Sequence, residues 1–549
     1  MPTVLGRISF PNSGAAAAQP AFIRGVLLLH SFEYDAAIAA FREAERVDPA
    51  FALAYWGEAM SYNQPLWYNE SPDKARAALA KLAPTPAARQ AKAPTAREKG
   101  YMDAVERLYS DRTSLGAVRG VGAPGVRSDG SKRARDRAYA DRMAALWRAN
   151  PADDEAAAFY ALALLATIPD GERNVATSLE AGAIALDILK RNPQHPGAAH
   201  YALHAFDDGE HAAMGLEAAR LYARIAPASS HARHMPSHAF LPLGLWDEAA
   251  ASDEAAYETS VDLARRNGLS SAQHDFHALG WLHYEYLQQG RFAKAQSLAP
   301  LVDRALAEEE GSRGSRGSGG ARGSNPANHV HESEIGRGSG PLSLRSERAS
   351  MRARLVVESG RWELLKGQGT FDNVDELFAL GLASVKLGDG PRAEAALEQL
   401  QGARGAAPDE TNRRLAEIMR AEVGGLYQIS QGQTGQGLAT LASAARLESE
   451  MPNPIARPYP IKPAGELYGE ALLSAGDAAG ATRAFQAALK RTPRRAASLI
   501  GLARAAERAG QPAVSSRAAR EFVAMWKLAD PGRQELADAR RLAAPSAKP

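Results

Sequence analysis

The stretch GVLLLHSFEYDAAIAAFREAERVDP, residues 25–49, returns near the other end of the chain as GEALLSAGDAAGATRAFQAALKRTP, residues 469–493. Both stretches place small, large, small, aromatic, small and proline residues at the same six intervals. The positions are Gly25, Leu28, Ala37, Phe41, Ala44 and Pro49, then Gly469, Leu472, Ala481, Phe485, Ala488 and Pro493. Small residues let two helices cross closely, an aromatic ring fills the gap left between them, and proline stops the second helix. The pattern therefore predicts a helix–turn–helix unit that repeats along the chain.

The composition is typical of an all-α protein and excludes several classes of function. Lys and Arg number 65 against 63 Asp and Glu, so we expect no nucleic-acid partner. The absence of cysteine excludes disulfides and thiolate metal sites. No apolar stretch approaches the roughly 20 residues of a membrane span, and no phosphate-binding loop indicates a nucleotide cofactor. We expect a soluble protein, but the sequence leaves its compartment unknown. The protein is cytoplasmic if the sequence is unprocessed and periplasmic if it is a processed form.

The six-position pattern resembles the tetratricopeptide repeat (TPR), a helix–turn–helix unit of about 34 residues. The resemblance implies an all-α solenoid that winds into a right-handed superhelix, with the first helix of each unit facing a concave groove. Gly244, Gly290 and Gly388 mark the turns of less regular middle units. Such a groove implies a possible peptide or protein partner.

The chain divides into five expected segments. Residues 1–19 form a lead, residues 20–305 a first TPR-like array, and residues 345–540 a second, followed by a tail at 541–549. Between the arrays, residues 306–344 are expected to be a disordered insert, because the stretch from 311 to 340 is rich in Gly, Ser and Arg and carries almost no apolar side chains. A second such stretch, 110–131, is expected to be a surface loop.

The histidines carry the strongest chemical signal. Ten of thirteen lie between His195 and His283, and several are spaced three or four residues apart, which places them on one helix face. Imidazole is the commonest protein ligand for transition metals. The predicted ligands of one divalent metal ion are His200, His204, His231, His234 and His238. The sequence does not distinguish Zn, Ni, Cu, Mn or Fe. Asp207 and Asp208 are candidate oxygen ligands, outer-shell partners or, in an enzyme, general bases.

The repeat register places these histidines on groove-facing positions, together with a wider set of groove or outer-shell candidates. The wider set comprises His30, Trp56, Asn63, Gln64, His274, Asp275, His277, Glu466 and Glu470. Three histidines fit the register less well and are interpreted as structural or outer-shell residues: His195, His211 and His283.

Four stretches together resemble a family of bacterial TPR proteins that has no assigned biochemical function. They are AFALAYWGEAMSYNQPLW (50–67), HPGAAHYALHAFDD (195–208), HARHMPSHAFLPLGLWDEA (231–249) and IKPAGELYGEALL (461–473). The resemblance covers most of the chain outside the two low-complexity stretches and implies no reaction. Members often carry a histidine where this chain has Gln64.

Two classes of function remain open from the sequence. The first is a protein that binds a divalent metal ion and whose reaction is unknown; if it is an enzyme, a metal-dependent hydrolase is the leading expectation. The second is a non-enzymatic scaffold that binds a peptide or protein in the concave groove. Structural packing of the histidines is a third interpretation of the same pattern.

Overall fold

The computed structural model describes residues 5–110, 131–169, 172–314, 344–369, 371–407, 409–454 and 456–544. Across these residues the regular structure is helical apart from one antiparallel pair of short strands, β1 (Asn63–Gln64) and β2 (Asn69–Glu70). The predicted all-α fold is confirmed. No helix among the described residues is long and apolar enough to cross a membrane.

The chain forms two compact units, the first comprising residues 1–207 and 213–239 and the second residues 208–212 and 240–549. The helices of the first unit are α1 (Gln19–His30), α2 (Tyr34–Val47), α3 (Ala52–Met60), α4 (Pro72–Leu82), α5 (Pro86–Lys92), α6 (Ala96–Leu108), α7 (Lys132–Ala149), α8 (Asp154–Ala166), α9 (Val175–Arg191), α10 (Pro196–Ala205), α11 (Leu216–Ile225) and α12 (Ser230–His234). Short 3₁₀ turns at Ala16–Ala18 and Pro65–Trp67 also belong to this unit. Helix α13 (Ser237–Phe240) and a 3₁₀ turn at Ala212–Gly215 fall where the chain passes between units.

The second unit continues the same architecture. Its helices are α14 (Trp246–Arg266), α15 (Phe276–Gln288), α16 (Phe292–Gly314), α17 (Leu344–Ser359), α18 (Val374–Lys386), α19 (Gly390–Gly405), α20 (Glu410–Ser430), α21 (Thr434–Ser449), α22 (Ala464–Ser474), α23 (Ala478–Arg491), α24 (Ala496–Arg508), α25 (Pro512–Met525) and α26 (Gln534–Ala543). Short 3₁₀ turns occur at Ser271–Gln273 and Trp362–Leu365.

Glycine and phenylalanine interlock the helices of the first repeat. A Cβ atom added to Gly25 of α1 would lie 2.7 Å from the ring of Phe41 in α2, and one added to Gly57 of α3 would lie 2.2 Å from the same ring. Both distances are well inside van der Waals contact. The phenylalanine therefore packs against two successive first helices, and only glycine leaves room for it at either side.

The last repeat uses the same arrangement. The ring of Phe485 in α23 lies 3.1 Å from a Cβ built on Gly469 of α22 and 2.4 Å from one built on Gly501 of α24. In both repeats the two glycines flank the phenylalanine at a spacing of sixteen residues. The glycine–phenylalanine spacing in the sequence thus marks where the aromatic ring of one helix packs against glycines of the two flanking helices.

Contacts between alternate helices show that the second unit is a repeat array. Each of its later helices packs against the next, and in the series α18, α20, α22, α24 and α26 each helix also touches its neighbour in the series. Such a row of first helices beside a row of second helices is the arrangement of a TPR-like solenoid.

Some segment boundaries differ from those expected. Helix α16 continues to Gly314, so residues 306–314 of the expected insert are helical. The remaining residues of the low-complexity stretch, 315–343, and most of the expected loop, 111–130, lie outside the described residues. The expected lead is not separate from the first unit, because the ring of Phe10 is buried and lies 5.2 Å from the ring of Phe22. The tail beyond residue 544 also lies outside the described residues.

Candidate metal centre

The predicted histidines are placed by three short helices rather than two. Helix α10 begins with Pro196 and carries His200 and His204 one turn apart. The spacing of His231, His234 and His238 predicted one helix for all three, and this is wrong: α12 ends at His234, and His238 lies on the separate helix α13. Pro236 between them has no N–H to continue the helix.

Three imidazoles of the first unit converge on one point. The Nε2 atom of His200 lies 2.8 Å from Nε2 of His231 and 3.0 Å from Nε2 of His204. His200 and His231 are buried, with 0% and 3% exposure, whereas His204 is half-buried. We call these three residues the histidine trio.

The backbone determines which nitrogen of His200 faces the other two rings. Its Nδ1 atom lies 2.7 Å from the carbonyl oxygen of His30 and donates a proton to it. In the neutral ring Nε2 then carries a lone pair rather than a proton. An imidazole nitrogen has one lone pair, so His204 and His231 cannot both donate a well-aligned hydrogen bond to it. A cation at this point would accept one lone pair from each ring.

Aromatic rings surround the histidine trio. The ring centroid of Phe32 lies 4.3 Å from that of His200 and 5.8 Å from those of both His204 and His231. Tyr222 stacks on His200 at 5.0 Å, and Trp67 meets His231 edge-on at 6.1 Å. These apolar walls limit water around the three nitrogens and restrict ring rotation.

Phe32 holds this position at a cost in backbone energy. Its φ of 57° is in the left-handed region, which costs a residue with a side chain roughly 1–2 kcal/mol. Phe32 follows Gly25 by seven residues, as Gly476 follows Gly469, and Gly476 has φ 93°. An aromatic residue therefore occupies a turn position for which the late repeat uses glycine. Strained residues of this kind concentrate at functional sites.

A second group of predicted residues lies beside Asp207. The Nε2 atoms of His234 and His238 are 3.0 Å apart, and Nδ1 of His238 lies 2.9 Å from a carboxylate oxygen of Asp207. A carboxylate that accepts from one ring nitrogen orients the other nitrogen toward a metal in many sites. The five predicted ligands thus form a group of three and a group of two within the first unit.

His30 and His195 form a third group, around the buried carboxylate of Glu155. Nε2 of His30 lies 2.7 Å from Glu155, and its Nδ1 lies 2.8 Å from the hydroxyl of Tyr201. Nε2 of His195 is 3.2 Å from Glu155, while its Nδ1 accepts the backbone N–H of Ala198 and caps α10. Both nitrogens of His30 therefore have a protein partner, whereas Nε2 of His195 lies within ion-pair distance of the carboxylate without a hydrogen bond to it.

Burial opposes ionisation of Glu155, but the charges and hydrogen bonds of His195 and His30 outweigh it and hold the pKa near 2. Burial lowers the pKa of His30. Glu155 is therefore a buried carboxylate that two imidazole rings contact, and these contacts tie α1, α8 and α10 together.

The other candidates of the early chain have structural contacts. Asp208 accepts the backbone N–H groups of Glu210 and His211 and pairs with Nδ1 of His211 at 2.8 Å, closing a turn. Trp56 is fully buried, with its ring 5.3 Å from Tyr101, rather than on a groove surface.

Asn63 and Gln64, two further candidates of the early chain, lie on the strand β1. Gln64 accepts a hydrogen bond at 2.9 Å from Asn69, the residue opposite it. Asn63 is buried beside it on β1. The structure therefore places these two residues on the short strand that follows α3.

Besides Asp208, five candidates lie in the second unit. Asp275 caps α15 by accepting the N–H of Ala278, and the ring of His277 on that helix lies 5.6 Å from that of Trp281. Nδ1 of His274 lies 3.4 Å from the hydroxyl of Tyr257. These three residues stand at the start of α15.

The two late glutamates are held by cations of the same unit. Burial opposes ionisation of Glu466, but Arg495 and Lys462 outweigh it and lower its pKa to about 2. Glu470 pairs with Lys462 at 2.5 Å. His283, interpreted from the sequence as a structural or outer-shell residue, is buried, and burial together with Arg457 lowers its pKa to about 3.

Two residues that matter here were not singled out from the sequence. Glu155 follows two aspartates at the start of a helix and resembles an ordinary acidic helix terminus. Phe32 carried a detectable signal, because the repeat register places it at a position where glycine is expected.

Comparisons with known proteins show no relative by sequence: no family model and no curated protein matches the chain. Solved structures similar to the chain include the APC/C hetero-tetramer Cut9–Hcn1, at 11% identity over 97% of each chain with a TM-score of 0.28. The P58(IPK) TPR domain is 12% identical over 71% of this chain and 98% of its own, with a TM-score of 0.20. The human IFIT1 dimer with m7Gppp-AAAA is 12% identical over 98% and 92%, with a TM-score of 0.33.

Proposed function

We propose that the histidine trio binds one divalent transition metal ion and that the chain is a metal-binding member of the TPR-like proteins. The observation that supports this most directly is the position of His200 Nε2, within 3.0 Å of two other imidazole nitrogens while Nδ1 donates to a carbonyl. Because His204 and His231 both face the single lone pair of His200 Nε2, a cation shared by the three rings fits this arrangement better than a chain of hydrogen bonds does.

The distances support a small ion. A tetrahedral zinc ion with bonds of about 2.0–2.1 Å separates its nitrogen ligands by about 3.3–3.4 Å. The nitrogens of His204 and His231 lie 3.0 and 2.8 Å from Nε2 of His200, so each of these two pairs needs to part by only a few tenths of an ångström. All three ligand atoms lie within 4.8 Å of one another. Imidazoles without thiolates suit Zn, Ni, Cu, Mn or Fe.

The surroundings also favour a metal over a peptide surface. Two rings of the trio are buried and aromatic residues enclose them, so they offer little area to an extended ligand. Three protein ligands leave a fourth position at which catalytic zinc sites activate water. Hydrolysis is therefore the activity to assay first on the loaded protein, with Asp207 as the carboxylate already oriented by a histidine.

We further propose that the chain belongs to the uncharacterised bacterial TPR family that it resembles. The motifs around His200 and His231 are those by which the chain resembles the uncharacterised bacterial TPR family, and the trio is built from both. Binding of a peptide in the concave groove is the alternative function, and it becomes the better explanation if no metal binds.

The test is a calorimetric titration of the metal-free full chain with Zn²⁺, repeated for His204→Ala and His231→Ala. We expect one tight site in the wild type and, in both variants, a loss larger than the roughly 10–100-fold that removal of an outer-shell partner costs. His211→Ala is the matched control, because His211 contacts Asp208 in a turn, and it should bind as the wild type does.

Far-UV circular dichroism checks that each variant keeps its helices. His204 is the half-buried member of the trio, so its replacement disturbs packing least. Unchanged affinity in a folded His204→Ala variant, or no uptake by the wild type, would contradict the proposal.

A further inference from the structure

A separate cavity lies inside the first unit, among α1, α3, α7 and α8. Its volume is about 20 Å³, measured as the space open to the centre of a water-sized sphere. Most of the wall is apolar, contributed by residues such as Leu29, Met60 and Phe159. A water molecule requires roughly 10–15 Å³ on this measure, so the cavity admits a molecule of one to about three non-hydrogen atoms.

Three residues of the wall carry a buried oxygen without a hydrogen-bond partner anywhere in the described part of the chain. The atoms are Tyr34 Oη, Tyr139 Oη and Asn63 Oδ1. The residues are 4%, 5% and 5% exposed. Buried polar groups in folded proteins are nearly always paired with protein or with an ordered molecule. Three orphaned oxygens around one cavity therefore indicate an occupant.

The donor and acceptor pattern defines the chemistry of that occupant. Burial raises the pKa of both Tyr34 and Tyr139, so both remain phenols and donate. Asn63 Oδ1 accepts. A single hydroxyl group has the matching donor and acceptor pattern, because its oxygen can accept from two phenols while its proton goes to the amide oxygen.

Charge argues for a neutral occupant. Asp136 also lines the cavity, and its carboxylate is held by Lys132 at 2.8 and 2.9 Å. Because the lysine compensates the charge of this carboxylate, the wall offers no net charge to attract either an anion or a cation. The remaining wall is apolar.

We propose that this cavity binds one small neutral molecule bearing a hydroxyl group, held by Tyr34, Tyr139 and Asn63. Water and a short alcohol share this chemistry. The site does not depend on a metal in the histidine trio, although the ring of Phe32 belongs to both the cavity wall and the packing around the trio.

The first experiment compares thermal unfolding of Tyr34→Phe and Tyr139→Phe with that of Tyr55→Phe in the full chain. Tyr55 is the control, because it is buried and its hydroxyl donates to the carbonyl of Pro49 at 3.1 Å. If a bound molecule satisfies Tyr34 and Tyr139, each variant loses a hydrogen bond and its Tm falls by roughly 2–4 °C, as in the control. If the cavity is empty, removing an orphaned hydroxyl leaves Tm unchanged or raises it, which would overturn the proposal.

The second experiment identifies the molecule. A crystal structure grown without alcohol should show density within about 3 Å of Tyr34 Oη, Tyr139 Oη and Asn63 Oδ1. Addition of methanol distinguishes the sources: replacement of that density by a longer feature, with a higher Tm, assigns an alcohol site, and unchanged density assigns water. An empty cavity under both conditions would refute the site.

Discussion

At the level of single residues, the histidines of the first unit differ in what contacts their ring nitrogens. The nitrogens of His30 and His195 all lie within 3.2 Å of groups other than histidine, at Glu155, Tyr201 and the backbone of Ala198. Nε2 of His200 instead faces two further imidazoles. Sequence spacing treats all these histidines alike, so only the contacts separate a structural group from a candidate ligand set.

Replacing Glu155 tests the structural group through its pH dependence. The folded-state pKa of about 2 lies below the ordinary value of 4.5, so the carboxylate stabilises the fold fully above pH 4.5 and loses this contribution as pH falls toward 2. The shift corresponds to roughly 3 kcal/mol. Urea unfolding should show Glu155→Gln less stable than wild type by an amount of this order near pH 7, with the gap shrinking below pH 4.5.

The control is Asp154→Asn, which removes the adjacent, more exposed carboxylate that pairs with Arg191. Its effect should be small, since exposed ion pairs contribute about 0–1 kcal/mol. A gap between wild type and Glu155→Gln that does not change with pH would show that Glu155 is not ionised in the fold.

Acidity should also weaken metal binding. Protons compete for imidazoles whose unperturbed pKa is about 6.5, and a ligand must be deprotonated to bind. We expect the affinity for Zn²⁺ to fall by more than about 10-fold between pH 7 and pH 5. Competition with a chromophoric chelator, corrected for the chelator's own titration, measures this. An affinity independent of pH over that range would exclude imidazole ligands.

At the level of helices and turns, the repeat depends on glycines that receive a phenylalanine ring. In Gly501→Ala the new Cβ would lie 2.4 Å from Phe485, so the helices must shift. Overpacking of this kind typically costs about 1–3 kcal/mol. Gly402→Ala is the control, because a Cβ there meets nothing within 4 Å, and alanine in an exposed helix is favoured by about 1 kcal/mol.

The denaturant concentration at the midpoint of unfolding should therefore shift in opposite directions in the two variants. Gly501→Ala should unfold at lower denaturant concentration than wild type and Gly402→Ala at higher. Equal shifts in the two variants would mean that the ring contact does not limit the packing.

The sequence predicted the repeats well where glycine, phenylalanine and proline all keep their spacing, as at Gly25, Phe41 and Pro49. It failed locally where one residue changes the backbone. Pro236 separates His234, at the end of α12, from His238 in α13. The helix α16 (Phe292–Gly314) extends into the low-complexity stretch. Periodicity identifies a face of a helix, but it does not locate a break within it.

At the level of the whole molecule, the candidate residues of the sequence are distributed over two compact units. The repeat register places side chains on one wall of an array, but it cannot say which of them find partners. Glu466 lies at a repeat position that predicts a groove-facing side chain, yet Arg495 and Lys462 hold it in an ion-pair network. The sequence could predict His200, His204 and His231 as candidate ligands. That these three lie together is visible only from the way α10 packs against its neighbours.

Metal binding should stabilise the first unit in particular. A ligand at 100 times its Kd adds about 2.7 kcal/mol to the species that binds it. Hydrogen exchange of the full chain with and without Zn²⁺ should show slower exchange in α1, α10 and α12, and no change in α24–α26, which carry none of the proposed ligands. Uniform protection, or protection confined to the later helices, would place the metal elsewhere.

X-ray absorption spectroscopy of the zinc-loaded full chain tests the metal centre most directly. The account predicts nitrogen scatterers at about 2.0–2.1 Å from zinc, with the outer-shell scattering of three imidazole rings, and loss of one ring in His204→Ala. A zinc ion surrounded only by oxygen, or by fewer than three imidazoles in the wild type, would contradict the assignment of His200, His204 and His231 as its ligands.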